Sequence, residues 1–147
     1  MGNIIFSSWQ EELVDNRKAE AADRKVPANV RIPSEFRPGE NIKAFMGWDG
    51  IILLDDDVDI VDMCANYVEA VQSESCGKCF PCRIGTRIIA DLLTKIATGE
   101  GKKEYLQRIR DLAVNIKEGA KCSIGKTGLI PILHALEHFP RAFTAAI

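Results

Sequence analysis

Three thiols crowd into seven residues of this chain, Cys76, Cys79 and Cys82, within Glu74-Ser75-Cys76-Gly77-Lys78-Cys79-Phe80-Pro81-Cys82-Arg83-Ile84-Gly85-Thr86. Two CxxC steps share Cys79. A tight loop with a thiol at every third residue can aim three sulfurs at three corners of an iron–sulfur cube, and a fourth thiolate must then arrive from elsewhere. The chain holds five cysteines, so Cys64 and Cys122 are the candidates for that place. Any fold must bring one of them to the 76–82 loop.

The helical period chooses between them. From Val58 onward apolar residues recur at helical spacing. Val61, Cys64, Val68 and Val71 share one face of a first helix, which places Cys64 in the core as a small hydrophobe. Ile84, Ile88, Leu92 and Ile96, with Ile89 and Leu93, mark a second helix stopped by Gly99 and Gly101. Tyr105, Ile109, Leu112 and Ile116 mark a third, closed by Gly119. Leu129, Ile132, Leu133, Leu136 and Phe139 mark a fourth, with Pro131 in its first turn and Pro140 kinking or restarting it before Phe143. Four such helices with short links predict a four-helix bundle. Cys122 lies in the glycine-flanked loop 119–125 between the third and fourth helices, which a bundle can set at the same end as the second helix's start. Cys122 is therefore the expected fourth ligand of one [4Fe–4S] cluster.

The flanking residues suit a buried anion. Lys78, Arg83, Lys121 and Lys126 favour thiolate over thiol, and the second helix, starting near Cys82, points its positive end at the site. Gly77, Gly85 and Gly125 are expected to let backbone N–H groups approach the sulfurs, and Phe80 and Pro81 to shield the cube. Zinc is the main rival, but structural zinc usually takes two separated CxxC pairs. A free-thiol redox motif is the other. Asp55, Asp56 and Asp57 lack the alternating oxygen ligands of a calcium loop and read as a solvated turn and helix cap. His134 and His138, four apart, carry no HExxH pattern and read as ordinary helical histidines.

Residues 1–46 differ from the rest. They are charged, contain Pro27, Pro33 and Pro38, and have few periodic apolar residues. Ser8-Trp9-Gln10-Glu11 fits a capping box for a helix over 9–24, although its apolar face is only Trp9, Leu13 and Val14. An extended path follows from Val26 to Gly39. This segment reads as a partner-binding arm, joined to the 47–147 bundle by one short strand at Gly50–Leu54. The expected fold is thus mainly α.

Composition excludes other classes. Hydrophobic residues at 46% and charged residues at 27% describe a globular chain. A net charge of -2 offers no basic excess for nucleic acid. No apolar run approaches the roughly 20 residues that cross a bilayer. Neither a signal peptide nor a myristoylation site is read at Met1–Phe6, so a cytoplasmic location is expected. There, clustered thiols serve as metal ligands more often than as disulfides.

The segment 74–86 closely resembles the cluster-binding segment of the NADH-oxidising flavoprotein subunit of complex I-type dehydrogenases. Related NAD-reducing hydrogenases and NAD-dependent formate dehydrogenases carry it too. The resemblance continues through Gly99-Glu100-Gly101, the Cys122 loop and Leu136-Glu137-His138-Phe139, over roughly residues 50–147. It implies a [4Fe–4S] cluster on Cys76, Cys79, Cys82 and Cys122 that accepts electrons from a flavin. The family's flavin and nicotinamide domain has no counterpart in residues 1–46, whose glycines are Gly2 and Gly39, so no FMN or NADH site is expected here. The function implied is a non-catalytic electron-transfer subunit of a larger oxidoreductase, partnered by a flavoprotein or a molybdenum or tungsten enzyme. In a second reading the cluster only staples a docking module. A third, an independent enzyme, finds no nucleophile–base pair to support it.

Overall fold

The computed structural model describes residues 4–18, 25, 35–37, 40–41, 43–55 and 57–147. The chain divides into two compact units, Met1–Val58 and Asp59–Ile147.

The N-terminal unit is built on an antiparallel sheet. Its strands are β1 (Phe6–Ser7), β2 (Val14–Asp15), β5 (Ala44–Gly47) and β6 (Gly50–Leu53), in the order β2-β1-β6-β5. β3 (Glu35–Arg37) and β4 (Glu40–Asn41) form a separate antiparallel pair. The strand expected at Gly50–Leu54 is therefore not a lone link to the helices. It is an inner strand, with Ile52 opposite Ser7 on one side and Phe45 on the other. The break after Val58 leaves it in the N-terminal unit, whereas the expected boundary lay at 46/47.

The helix expected over 9–24 does not form where the chain is described. Trp9–Glu11 makes a single 3-10 turn, and Gln10 sits at φ 52, ψ 46. Ser8 caps nothing; its Oγ accepts the N–H of Ile51 at 3.1 Å. Val14, a member of the thin apolar face, is buried in β2 instead, while Leu13 is exposed. Three apolar residues could not hold a helix, and strand pairing buried one of them better. The rest of that helix, 19–24, and most of the Val26–Gly39 stretch lie outside the described residues. Asn16 anchors the turn after β2. Its buried amide donates to Ile4 O at 2.9 Å and Lys25 O at 2.8 Å and accepts from Lys25 N at 3.0 Å.

The second unit is helical throughout. It comprises α1 (Ile60–Glu74), α2 (Phe80–Ala97), α3 (Lys103–Gly119), α4 (Ser123–Thr127), α5 (Ile130–His138) and α6 (Pro140–Ala146). Asp55 accepts from Asp57 N at 2.9 Å, so the acidic run makes the expected turn, but the cap of α1 is Asp59, two residues further on, which accepts the N–H of Asp62 at 3.0 Å. Ile89, Leu93 and Ile96 of α2 are fully buried, with Leu92 nearly so. Each such side chain contributes about 1.5–3 kcal/mol relative to exposure. α2 packs against both α1 and α3. Gly85 serves this packing: a Cβ there would lie 2.7 Å from Ile116 Cδ1 of α3. The fourth expected helix is divided at Phe139 by Pro140, and the additional short α4 was not foreseen.

The restarted α6 inserts Phe143, fully buried, where it packs against α1 and α2. Phe143→Ala is expected to destabilise the protein by about 3–5 kcal/mol, read from the midpoint of denaturant unfolding.

Candidate metal centre

Each of the four site cysteines stands at a helix end. Cys76 follows Ser75, the C-cap of α1; Cys79 is the N-cap of α2; Cys82 lies in the first turn of α2; Cys122 is the N-cap of α4. Helix starts leave backbone N–H groups without partners inside the helix. Pro81 in the first turn of α2 costs nothing for this reason. Gly77 gives the loop its turn at φ +76, in the left-handed region that side chains disfavour.

The helices bring all four thiols to one pocket, lined by Ser75, Cys76, Cys79, Cys82, Ala120, Cys122 and Ile124. Cys82 is buried, Cys79 half-buried, and Cys76 and Cys122 exposed; all are free thiols. Cys82 is held on both sides. Thr86 Oγ1, fully buried, donates to its carbonyl at 2.6 Å, and its Sγ lies 3.3 Å from Ser75 Oγ. Backbone N–H groups of Gly125 and then Ile124 hold the Cys122 thiol below its ordinary range, with a smaller contribution from Lys126 and against an opposing effect of burial. Lys78, Arg83 and Lys121, neighbours of these cysteines in sequence, are exposed.

The fifth cysteine is elsewhere. Cys64 is fully buried on α1 and does not line the pocket. Burial, helped by the charge of Asp59, pushes its thiol up to about 12. Phe80 and Pro81, expected to cover the site, line a separate groove with Ile84, Leu112 and Ile116. Phe80 is 66% exposed, and the Arg83 guanidinium lies over its ring at 5.8 Å. His134 and His138 meet edge to face at 6.3 Å between centroids. Burial, with the charges of His138 and Lys117 adding to it, holds His134 below its ordinary range against the opposing charge of Glu137. Sequence reasoning missed Ser75, Ala120 and Ile124. Their only sequence signal was adjacency to a cysteine or near-adjacency along a helix start.

Folded protein prepared without iron should therefore alkylate rapidly at Cys122 and not at Cys64 at pH 8, as peptide mapping after iodoacetamide will show. Because the folded-state value of Cys64 is raised, its contribution to stability is present below about pH 9 and is lost as pH rises towards 12. Cys64→Ala should consequently lose less stability than the parent between pH 8 and pH 10.5, measured by urea unfolding at each pH.

Comparison with known proteins places this arrangement. The chain is 42% identical over 149 residues to the NADPH-Fe(3+) oxidoreductase subunit beta of Geobacter sulfurreducens, covering 100% of this chain and 21% of that protein. It is 38% identical over 142 residues to the NADP(+)-dependent formate dehydrogenase subunit beta of Moorella thermoacetica, covering 97% and 19%. The chain thus spans about a fifth of the length of these curated relatives. A crystal structure of an NAD+-reducing [NiFe]-hydrogenase in the H2-reduced state matches with a TM-score of 0.61 at 28% identity, over 66% of this chain and 17% of that one. Residues 62–146, which include all four pocket cysteines, match the NADH-ubiquinone oxidoreductase-F iron-sulfur binding region, and the chain belongs to that family.

Proposed function

We propose that Cys76, Cys79, Cys82 and Cys122 hold one [4Fe–4S] cluster, and that the chain relays single electrons within a larger cytoplasmic oxidoreductase. The observation that carries this reading is the convergence of four thiols, three from one loop and one 40 residues on, around one pocket. Three thiols packed in one loop with the fourth far along the chain favour a cluster over zinc, which usually takes two separated CxxC pairs. The donor set fits: thiols suit iron–sulfur chemistry, Cys122 is biased towards thiolate, and Ala120 and Ile124 supply an apolar wall.

When bound, such a cluster supplies reversible one-electron transfer without proton chemistry. The protein's own residues do the rest. The N–H groups of Gly125 and Ile124 stabilise negative charge on the Cys122 sulfur, and Lys126 adds to them. The scaffold is proposed to act as a four-helix bundle in which α4, α5 and α6 together take the fourth position. Among the described residues no helix is long and apolar enough to cross a membrane. The partner is proposed to be a flavoprotein or a molybdenum or tungsten oxidoreductase subunit. Support comes from the relatives whose names join this kind of chain to NADPH–Fe(3+), formate and hydrogen chemistry. Residues 1–46 are proposed to contribute to partner binding, which the exposure of Leu13 and Phe45 supports.

A purely structural cluster is the second reading, favoured by the placement of the thiols at the ends of α1, α2 and α4, where a cluster would staple three helices. Reducibility separates the two. Anaerobically prepared protein should contain four iron and four acid-labile sulfide per chain and should be reduced by dithionite to a paramagnetic state. Cys122→Ser should lose or degrade the cluster, while Cys64→Ser keeps the iron content of the parent. Zinc in place of iron would end the cluster reading, and a cluster that no reductant reaches would leave only the structural one.

A further inference from the structure

The Ser75 hydroxyl stands 3.3 Å from Cys82 Sγ, across the loop that carries three of the ligands. We infer that Ser75 is a tuning residue: its O–H donates to the Cys82 sulfur and raises the reduction potential of the cluster that the proposed function places there.

The direction of the hydrogen bond follows from the inventory of donors. A thiolate bound to iron has no proton, so the hydroxyl must donate. Ser75 Oγ is also within 3.4 Å of the Gly77 N–H, which can only donate to it. With the oxygen accepting from Gly77, the hydroxyl proton is left to point at the sulfur.

The placement is rigid. Ser75 is the C-cap of α1, and its N–H donates to Val71 O at 3.1 Å and Gln72 O at 3.3 Å. Cys82 is fixed in the first turn of α2 by the Thr86 bond to its carbonyl and by the Arg83 N–H donated to Cys79 O at 2.9 Å. α1 and α2 also pack against each other. Preorganised donors of this kind stabilise charge without reorganising.

Burial strengthens the effect. Cys82 is 5% exposed, and a hydrogen bond in a water-poor site is electrostatically stronger than one at the surface. Reduction adds one negative charge to a cluster held by four thiolates, so a donor at sulfur favours the reduced state more than the oxidised one. Cys122 receives its donors from the backbone, which no side-chain substitution removes. The Cys82 donor is a side chain. It is the term that sequence change can adjust.

The test is a potentiometric titration of anaerobic full-length protein, followed by electron paramagnetic resonance, on the parent, Ser75→Ala and Ser75→Thr. Ser75→Ala should keep four iron per chain and titrate at a more negative potential, and Ser75→Thr, which keeps the hydroxyl, should return towards the parent value. Equal potentials for Ser75→Ala and the parent would overturn the inference. A second measurement does not need the alanine variant to hold its cluster. Transfer of the parent to D2O should shift the iron–thiolate stretching bands in resonance Raman spectra, and spectra unchanged by D2O would equally overturn it. Parent protein lacking iron and sulfide removes the proposed function and this inference together. A reducible parent cluster indifferent to Ser75 and to D2O removes the inference alone.

Discussion

Gathering four thiols at one pocket is the constraint on which the helical unit depends. Thiolates repel one another, and their common surroundings must be partly dry, so the chain has to supply positive potential without filling the space. It does so with helix ends. Cys79 and Cys122 are both N-caps, and Cys82 lies within the first turn of α2. Backbone N–H groups with no partner inside the helix are thereby available where negative charge collects. For Cys122 that provision is visible in a depressed thiol, caused first by Gly125 and Ile124.

The packing behind the pocket follows from this demand. α2 starts at the cysteine loop and packs against both α1 and α3, so its apolar residues are buried on more than one side. Gly85 lets α3 approach within a distance that any larger residue would obstruct at Ile116. α3 then delivers the 120–122 turn to the pocket, and Ala120, buried, becomes part of its wall. The same helices that form the core thus set the arrangement of the four cysteines. Electron transfer of the proposed kind needs little more from a protein than a rigid ligand set and a suitable local field.

Much of this was legible in the residues because it is periodic or chemically singular. The stripes of α1, α2 and α3 show the 3.6-residue period plainly, and Cys64 on the first stripe is buried as that period requires. Pro140 divides the last expected helix, as a residue without an N–H must. The N-terminal region was misread for the opposite reason. Trp9, Leu13 and Val14 are too few to declare a period, and Ser8 with Glu11 imitates a cap whose hydroxyl serves Ile51 instead. The pairing of Phe6–Ser7 with Ile52–Leu53 is a long-range property, which local pattern does not reveal. Phe80 was assigned to the site through nearness in sequence, yet a helix turns successive residues to different faces.

The amino-acid sequence by itself determined the chemistry: which residues are thiols, how three of them are spaced, which thiol lies on an apolar stripe, and where helices stop. Those properties are local, set by side-chain type and by the helical repeat. Tertiary structure brought Cys122, which the helical pattern had already singled out, to the pocket of the other three, and it alone decided that Ser75 Oγ faces Cys82 Sγ and that Phe6–Ser7 and Val14–Asp15 join a sheet. Each of these joins residues through helix packing or strand pairing, and such contacts arise only when the whole unit has excluded water from its core.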